Sequence, residues 1–183
     1  MISTNYRERS IADWLATLAH VLALSLLILS PIAASAQSPE DVKQAMTLLK
    51  AKTAKLGAPQ MKGEDTVAGK SMPALYFGLS KMNNNFGVVD EVKKDKGGTA
   101  TLFVKSGDDF VRVATNVMKD DGSRAVGTAL DPKGKAIAAI RSGNAYYGDA
   151  EILGKPYITG YEPIRDDAGK IVGIYYVGYP KAK

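Results

Sequence analysis

Apolar side chains recur at helical spacing between residues 42 and 56, a pattern that predicts one amphipathic helix. Ser38 suits the N-cap, Pro39 suits the first helical position, and Gly57 ends the run. The apolar stripe could pack on the domain's own sheet or against a partner helix, and the pattern leaves both open. Its members are Val42, Ala45, Met46, Leu49, Thr53 and Leu56.

The next segment, 57–85, is punctuated by glycine, proline and a run of asparagines. Such punctuation predicts loops, with one short helix over 74–77. Beyond this segment, β-branched and aromatic residues predict a first strand over 88–92 and a hairpin formed by 99–104 and 110–117.

The rest of the chain alternates between strands and one short helix. A further strand is predicted over 124–130, after which Asp131 and Gly143 mark the start and the end of a short helix. Residues 157–164 and 171–179 predict a final hairpin. Hairpins with helices on one side indicate an α+β fold built on an antiparallel sheet of about five strands, with a cavity against the helix-covered face.

The first 36 residues have the three-part layout of a secretory signal peptide. A basic segment precedes an apolar stretch over 21–29, and Ala36 ends a small-residue cleavage site. We therefore expect cleavage after Ala36 and a single mature domain over 37–183 that is periplasmic or secreted. The alternative is an uncleaved membrane anchor over 14–36, which the break at Pro31 disfavours.

The amino-acid composition limits the metal sites and reactions that can be expected of the mature domain. The chain has no cysteine, and its only histidine, His20, falls in the predicted signal peptide. Zinc sites and catalytic triads that use histidine are therefore not expected, and neither is a metal, a cofactor or an enzymatic reaction. The net charge of +5 favours anionic partners, but the lysines are scattered, which argues against nucleic acid.

Two arginines on predicted strands are candidate ligand contacts. Arg112 is expected to share a strand face with Phe110 and Ala114, and a guanidinium on a partly buried face needs an anionic partner. A ligand carboxylate would meet that need through paired hydrogen bonds, and the alternatives are an internal salt bridge or an exposed face. Arg124 follows a turn, so it is either a second ligand contact or a tie for that turn.

Side chains with hydroxyl groups form the second set of candidates. Tyr157, Thr159 and Tyr161 alternate along one face of a predicted strand. A tyrosine offers a pocket an apolar wall with a polar tip, which suits a small polar ligand. Tyr147 and Thr128 are further candidates, and ordinary core packing is the alternative for each tyrosine.

A series of segments after residue 74 occurs in a distinctive order. The segments are 89–92 (VDEV), 97–103 (GGTATLF), 109–117 (DFVRVATNV), 121–128 (DGSRAVGT), 146–148 (YYG), 154–157 (GKPY) and 173–178 (GIYYVG). In order and spacing they resemble the single Cache domains, in particular the Cache 3/Cache 2 fusion type. The resemblance implies a PAS-like extracytoplasmic sensor with a leading helix, a five-stranded antiparallel sheet and a pocket for a small organic ligand.

The resemblance also leads to hypotheses about the function of this protein. Such domains usually lie between two transmembrane helices, whereas the sequence after Tyr179 is too short for a second span, so a freestanding exported sensor is expected. The leading hypothesis is binding of a small organic anion, most of all a carboxylate, without catalysis. The alternative is a periplasmic adaptor that docks on a membrane receptor or kinase through its N-terminal helix. A homodimer is a further partner hypothesis.

Overall fold

The computed structural model describes residues 37–181, and the predicted signal peptide lies outside them. The described part has an α+β architecture with two antiparallel sheets, one ordered β1-β2-β3 and the other β5-β4-β8-β7-β6. Its elements are α1 (Pro39–Ala54), β1 (Pro59–Val67), β2 (Lys70–Phe77), β3 (Ser80–Lys81), α2 (Gly87–Lys96), β4 (Thr99–Ser106), β5 (Asp109–Thr115), α3 (Lys135–Arg141), β6 (Tyr146–Ile152), β7 (Lys155–Arg165) and β8 (Ile171–Pro180). The leading helix and the five-stranded sheet are the PAS-like features that the resemblance implied.

Helix α1 confirms the first prediction, because its start is encoded locally. The Ser38 hydroxyl accepts the Asp41 N–H, and the Asp41 carboxylate accepts the Ser38 N–H at 2.7 Å, which together form a capping box. These hydrogen bonds hold the pKa of Asp41 below its ordinary value. The predicted stripe is buried from Val42 to Thr53, whereas Leu56 lies beyond the helix and is 37% exposed.

The predicted loops between residues 57 and 85 are wrong, because this segment forms the three-stranded sheet. Glycine marks tight turns here, not long loops. Gly69 and Gly78 both have positive φ and each joins two neighbouring strands. The short helix predicted over 74–77 is part of β2, where Ala74, Leu75 and Phe77 are buried.

Two further strand predictions are wrong. Residues 88–92 belong to helix α2, which buries Val89 and Val92 at helical spacing. Residues 124–130 form no strand, although an isolated bridge between Val111 and Ala129 and a backbone hydrogen bond from the Arg112 N–H to the Thr128 carbonyl link them to the neighbouring strand. They belong to a long connection over 116–134 that crosses the sheet edge before α3.

The two predicted hairpins are confirmed as β4 with β5 and β7 with β8. The short helix is confirmed as α3, but it begins later than expected. Asp131 accepts the Lys133 N–H at 2.9 Å in a local turn, and Gly134 takes the N-cap position. Strand β6 was not predicted, since its half-exposed edge position and its Gly148, Asp149 and Glu151 weaken the strand signal.

Both faces of the five-stranded sheet are covered, although helices were expected on one side only. On the first face, α1 and α2 bury Val42, Met46 and Val92 in one hydrophobic cluster. On the second face, α3 buries Ile137 and Ile140 in another cluster. Within residues 37–181 no helix is long and apolar enough to cross a bilayer.

Candidate ligand site around Arg112

Arg112 lies on β5 beneath the long connection and faces the second cluster. It is only 4% exposed. Its Nη1 donates to Thr128 Oγ1 at 2.8 Å and to the Ala129 carbonyl at 3.3 Å. Its guanidinium carbon lies 4.9 Å from the centroid of the Phe103 ring, close enough for a cation–π contact.

The positive charge of Arg112 has no carboxylate partner in the described part of the chain. Its Nε is buried and meets no hydrogen-bond acceptor there. Burial lowers the pKa of Arg112, whereas the Tyr161 and Tyr176 hydroxyls act in the opposite direction. A guanidinium nevertheless stays protonated in proteins, so the side chain is a buried, uncompensated cation. Neither alternative from the sequence, an internal salt bridge or an exposed face, describes it.

The neighbours of Arg112 differ in one respect from the expectation. Phe110 lies in the second cluster, as a residue on the same face should, but Ala114 lies in the first cluster. The cause is a register shift in the pairing of β4 with β5, where Leu102 pairs with Ala114 and Phe103 pairs with Arg112. Such a bulge reverses which residues face which side.

A cavity of about 430 Å³, here called the arginine cavity, opens over Arg112. Its buried walls are Leu130, Ala136, Ile152 and Tyr161. The wall residues come from the long connection, α3, β6 and β7, so the cavity lies where those elements meet. Exposed residues form its rim, among them Asp131, Lys133, Lys135, Asp149, Glu151 and Leu153.

Tyr161 is the second buried polar side chain of the arginine cavity. The residue is 1% exposed, and its ring packs on Tyr176 with centroids 5.0 Å apart. Its hydroxyl forms no hydrogen bond with any described residue, although buried tyrosine hydroxyls usually have a partner. Burial raises the pKa of Tyr161, an effect that the nearby Arg112 opposes, so the hydroxyl keeps its proton. It can therefore donate to a ligand.

Thr128 supports Arg112 but does not line the cavity. Its hydroxyl accepts from Arg112 Nη1 and donates to the Ala125 carbonyl at 2.7 Å. With both its donor and its acceptor used, the hydroxyl holds one end of the guanidinium in a defined position.

The other candidate hydroxyls lie elsewhere on β6 and β7. Tyr147 and Thr159 line a neighbouring cavity of about 440 Å³ at the β6 edge, here called the edge cavity. Both hydroxyls are already used, since Tyr147 donates to Glu162 and Thr159 donates to the Gly148 carbonyl. Tyr157 packs against the second cluster and lines neither cavity.

Arg124 lies apart from the arginine cavity and is paired within the protein. Its Nη1 and Nη2 bind the two carboxylate oxygens of Asp90 at 2.8 and 2.9 Å. Nη1 also donates to the Thr115 carbonyl, and the guanidinium lies 4.4 Å from the Phe86 ring centroid. The geometry gives Arg124 an intramolecular anion, whereas Arg112 has none among residues 37–181.

The apolar walls of the arginine cavity were not found from the sequence. Leu130 and Ala136 come from segments whose boundaries were mispredicted, and Ile152 belongs to the strand that was missed. Phe103 was expected in a strand, but its position under the guanidinium depends on strand pairing. A correct prediction of strand β6 would have identified Ile152 as part of this wall.

The chain matches the Cache 3/Cache 2 fusion domain over residues 31–183. The chain belongs to this family. Cache domains are extracytoplasmic sensor domains for small molecules, so this Cache domain belongs to that class. A search among curated proteins finds no significant match.

Proposed function

We propose that this Cache domain binds a small organic anion, a carboxylate, in the arginine cavity and senses it without catalysis. The observation that carries the proposal is the buried guanidinium of Arg112, which has no carboxylate partner within residues 37–181. A buried charge without a partner costs several kcal/mol, by general estimates roughly 3 to 5. A ligand carboxylate would remove that cost in the bound state.

The hydrogen bonds and the burial of Arg112 leave one donor group of the guanidinium for a ligand. Nη1 donates to Thr128 and Ala129, and Nε is enclosed by protein atoms, so Nη2, which donates to no described residue, is left for a ligand. A carboxylate accepts a charge-assisted hydrogen bond from such a group. The free hydroxyl of Tyr161 is a second donor in the same cavity.

We propose that residues 1–36 act as an export signal that is cleaved after Ala36, which matches the extracytoplasmic location of the family. We assign no catalytic step to the cavity, because residues 37–183 contain neither histidine nor cysteine. A membrane receptor or kinase would be the partner that responds to the bound state.

The adaptor hypothesis has no comparable support. It depends on the apolar stripe of α1, and Val42, Met46 and Leu49 of that stripe are at most 1% exposed. These side chains pack on the domain's own sheet, so they are not available to a docking partner.

Calorimetry and thermal denaturation with a panel of acids test the proposal. Acetate, butyrate, hexanoate and succinate would be titrated into the purified protein, since a ligand that binds the folded state raises Tm. Replacing Arg112 by Met should weaken binding by about ten- to a hundredfold, the loss of a charge-assisted pair. Arg141→Met is the matched control, because Arg141 is exposed on α3 and donates to the Asp108 carbonyl. Equal affinity of Arg112→Met and the parent would overturn the proposal, as would a panel without any binding.

A further inference from the structure

Charge is distributed unevenly between the depth and the rim of the arginine cavity. Among the described residues that line the cavity and are buried, Arg112 is the one charged side chain. The lysines and carboxylates of the lining, including Lys135 and Glu151, are exposed at the rim, where water screens them. The depth of the cavity can therefore neutralise one anionic group only.

Apart from the Tyr161 hydroxyl, the remaining depth of the cavity is apolar. Leu130, Ala136 and Ile152 are between 3% and 6% exposed and belong to the second cluster. A ligand group that reaches this wall loses its water and gains no hydrogen bond, which favours methylene groups and disfavours a second charge.

An exposed leucine continues the apolar wall to the rim. Leu153 lines the cavity, is 42% exposed and has a φ of +50°, in the left-handed region that leucine rarely adopts. It begins the tight turn between β6 and β7, with Gly154 at φ +79°. Asparagine before glycine is the preferred pair for such a turn, so leucine occupies this position against the local backbone preference.

We infer that the ligand of this Cache domain is a monocarboxylate with one aliphatic tail, bound with its carboxylate at Arg112 and its tail along Leu130 and Ile152 toward Leu153. This inference rests on the proposed function and specifies the ligand class of the same site. Leu153 is then a specificity residue, because it contacts the tail of the ligand and makes no contact with the carboxylate.

A chain-length series tests the inference in calorimetry with the purified protein. From acetate through butyrate to hexanoate, affinity should rise by up to roughly fourfold per methylene, the effect of burying one such group. Adipate has the length of hexanoate but carries a second carboxylate, and it should bind at least about tenfold more weakly, since burying an unpaired charge is costly. Adipate that binds as tightly as hexanoate would overturn the inference, because the rim lysines would then hold a second carboxylate.

Substitution of Leu153 supplies the second test. Leu153→Asn places a favoured residue in the turn, so the variant should be at least as stable as the parent. It should bind hexanoate about three- to tenfold more weakly while acetate affinity stays unchanged. Leu79→Asn is the control, because Leu79 is 97% exposed and lies outside the cavity.

The two proposals fail in different ways. If acids bind through Arg112 but their affinity does not depend on chain length or on Leu153, the inference fails and the proposed function stands. If no acid binds, or if Arg112→Met leaves the affinity for the acids unchanged, the proposed function fails together with the inference.

Discussion

Arg112 Nη1 donates to Thr128 Oγ1 at 2.8 Å, while the buried Nε of the same guanidinium meets no acceptor among the described residues. One end of the side chain is therefore held by the fold and the other end is left unpaired. A purely structural arginine would be expected to use its donors within the protein, as Arg124 does with both oxygens of Asp90. The contrast between these two arginines leads to the first prediction.

The variants Arg112→Met and Arg124→Met should differ in opposite directions, one mainly in ligand affinity and the other mainly in stability. Arg112→Met removes an uncompensated buried charge, so the free energy of unfolding should stay equal or rise by up to about 2 kcal/mol while anion affinity falls by about ten- to a hundredfold. Arg124→Met removes a half-exposed ion pair and a cation–π contact, so it should cost about 1 to 2 kcal/mol and leave affinity unchanged. Urea unfolding and calorimetry measure both quantities. If Arg112→Met destabilises the protein as much as Arg124→Met does, Arg112 has a structural role.

Thr128 is predicted to be a positioning residue for Arg112. Thr128→Val keeps the shape of the side chain but removes the acceptor, so anion affinity should fall by about three- to tenfold, the effect of one lost hydrogen bond. Thr128→Ser keeps the hydroxyl and should restore the affinity of the parent. Calorimetry with hexanoate compares the three proteins. A serine variant as weak as the valine variant would show that the methyl group matters more than the hydrogen bond.

Alkaline pH should destabilise the domain through its buried tyrosines. Burial raises the pKa of Tyr176, which is fully buried with its hydroxyl 3.2 Å from Thr99 Oγ1, and burial also raises the pKa of Tyr161. A raised pKa in the folded state means that the neutral phenol stabilises the fold. This contribution is complete below the unfolded value of about 10 and is lost as pH rises toward the folded pKa. The free energy of unfolding should therefore decline above pH about 10.

The double variant Tyr161→Phe, Tyr176→Phe checks the assignment of this alkaline effect. Without the two phenols, the decline measured by urea unfolding between pH about 9 and 11 should be shallower. An identical slope in the parent and the double variant would mean that other groups cause the decline.

Export should yield a protein that begins at Gln37. The small-residue site that ends at Ala36 follows a short apolar stretch, which is the arrangement that signal peptidases cleave. N-terminal sequencing of protein recovered from the periplasm or the medium measures the cleavage position. Recovery of the protein in the membrane fraction with Trp14 still present would instead support the uncleaved anchor.

Local patterns were sufficient for some elements and insufficient for others. Helix α1 carries its own cap at Ser38 and sixteen residues of consistent spacing, so it could be predicted without tertiary contacts. Residues 88–92 contain three valines in five positions, and so short a window does not distinguish the strand period from the helical one. Packing of Val89 and Val92 against the first cluster decides in favour of α2.

Composition and short sequence patterns were enough to establish the α+β class, the capped leading helix, the two main hairpins, the lack of histidine and cysteine in residues 37–183, and the family resemblance. These properties depend on composition or on residues close together in the chain. The sequence also identified both Arg112 and Arg124 as candidate ligand contacts. Only the tertiary structure separated them, because α2 brings Asp90 to Arg124, whereas strand pairing and the long connection bury Arg112 beside Tyr161 without any carboxylate from residues 37–181. The charge that surrounds a buried group is set by residues distant in sequence, and no local pattern encodes it.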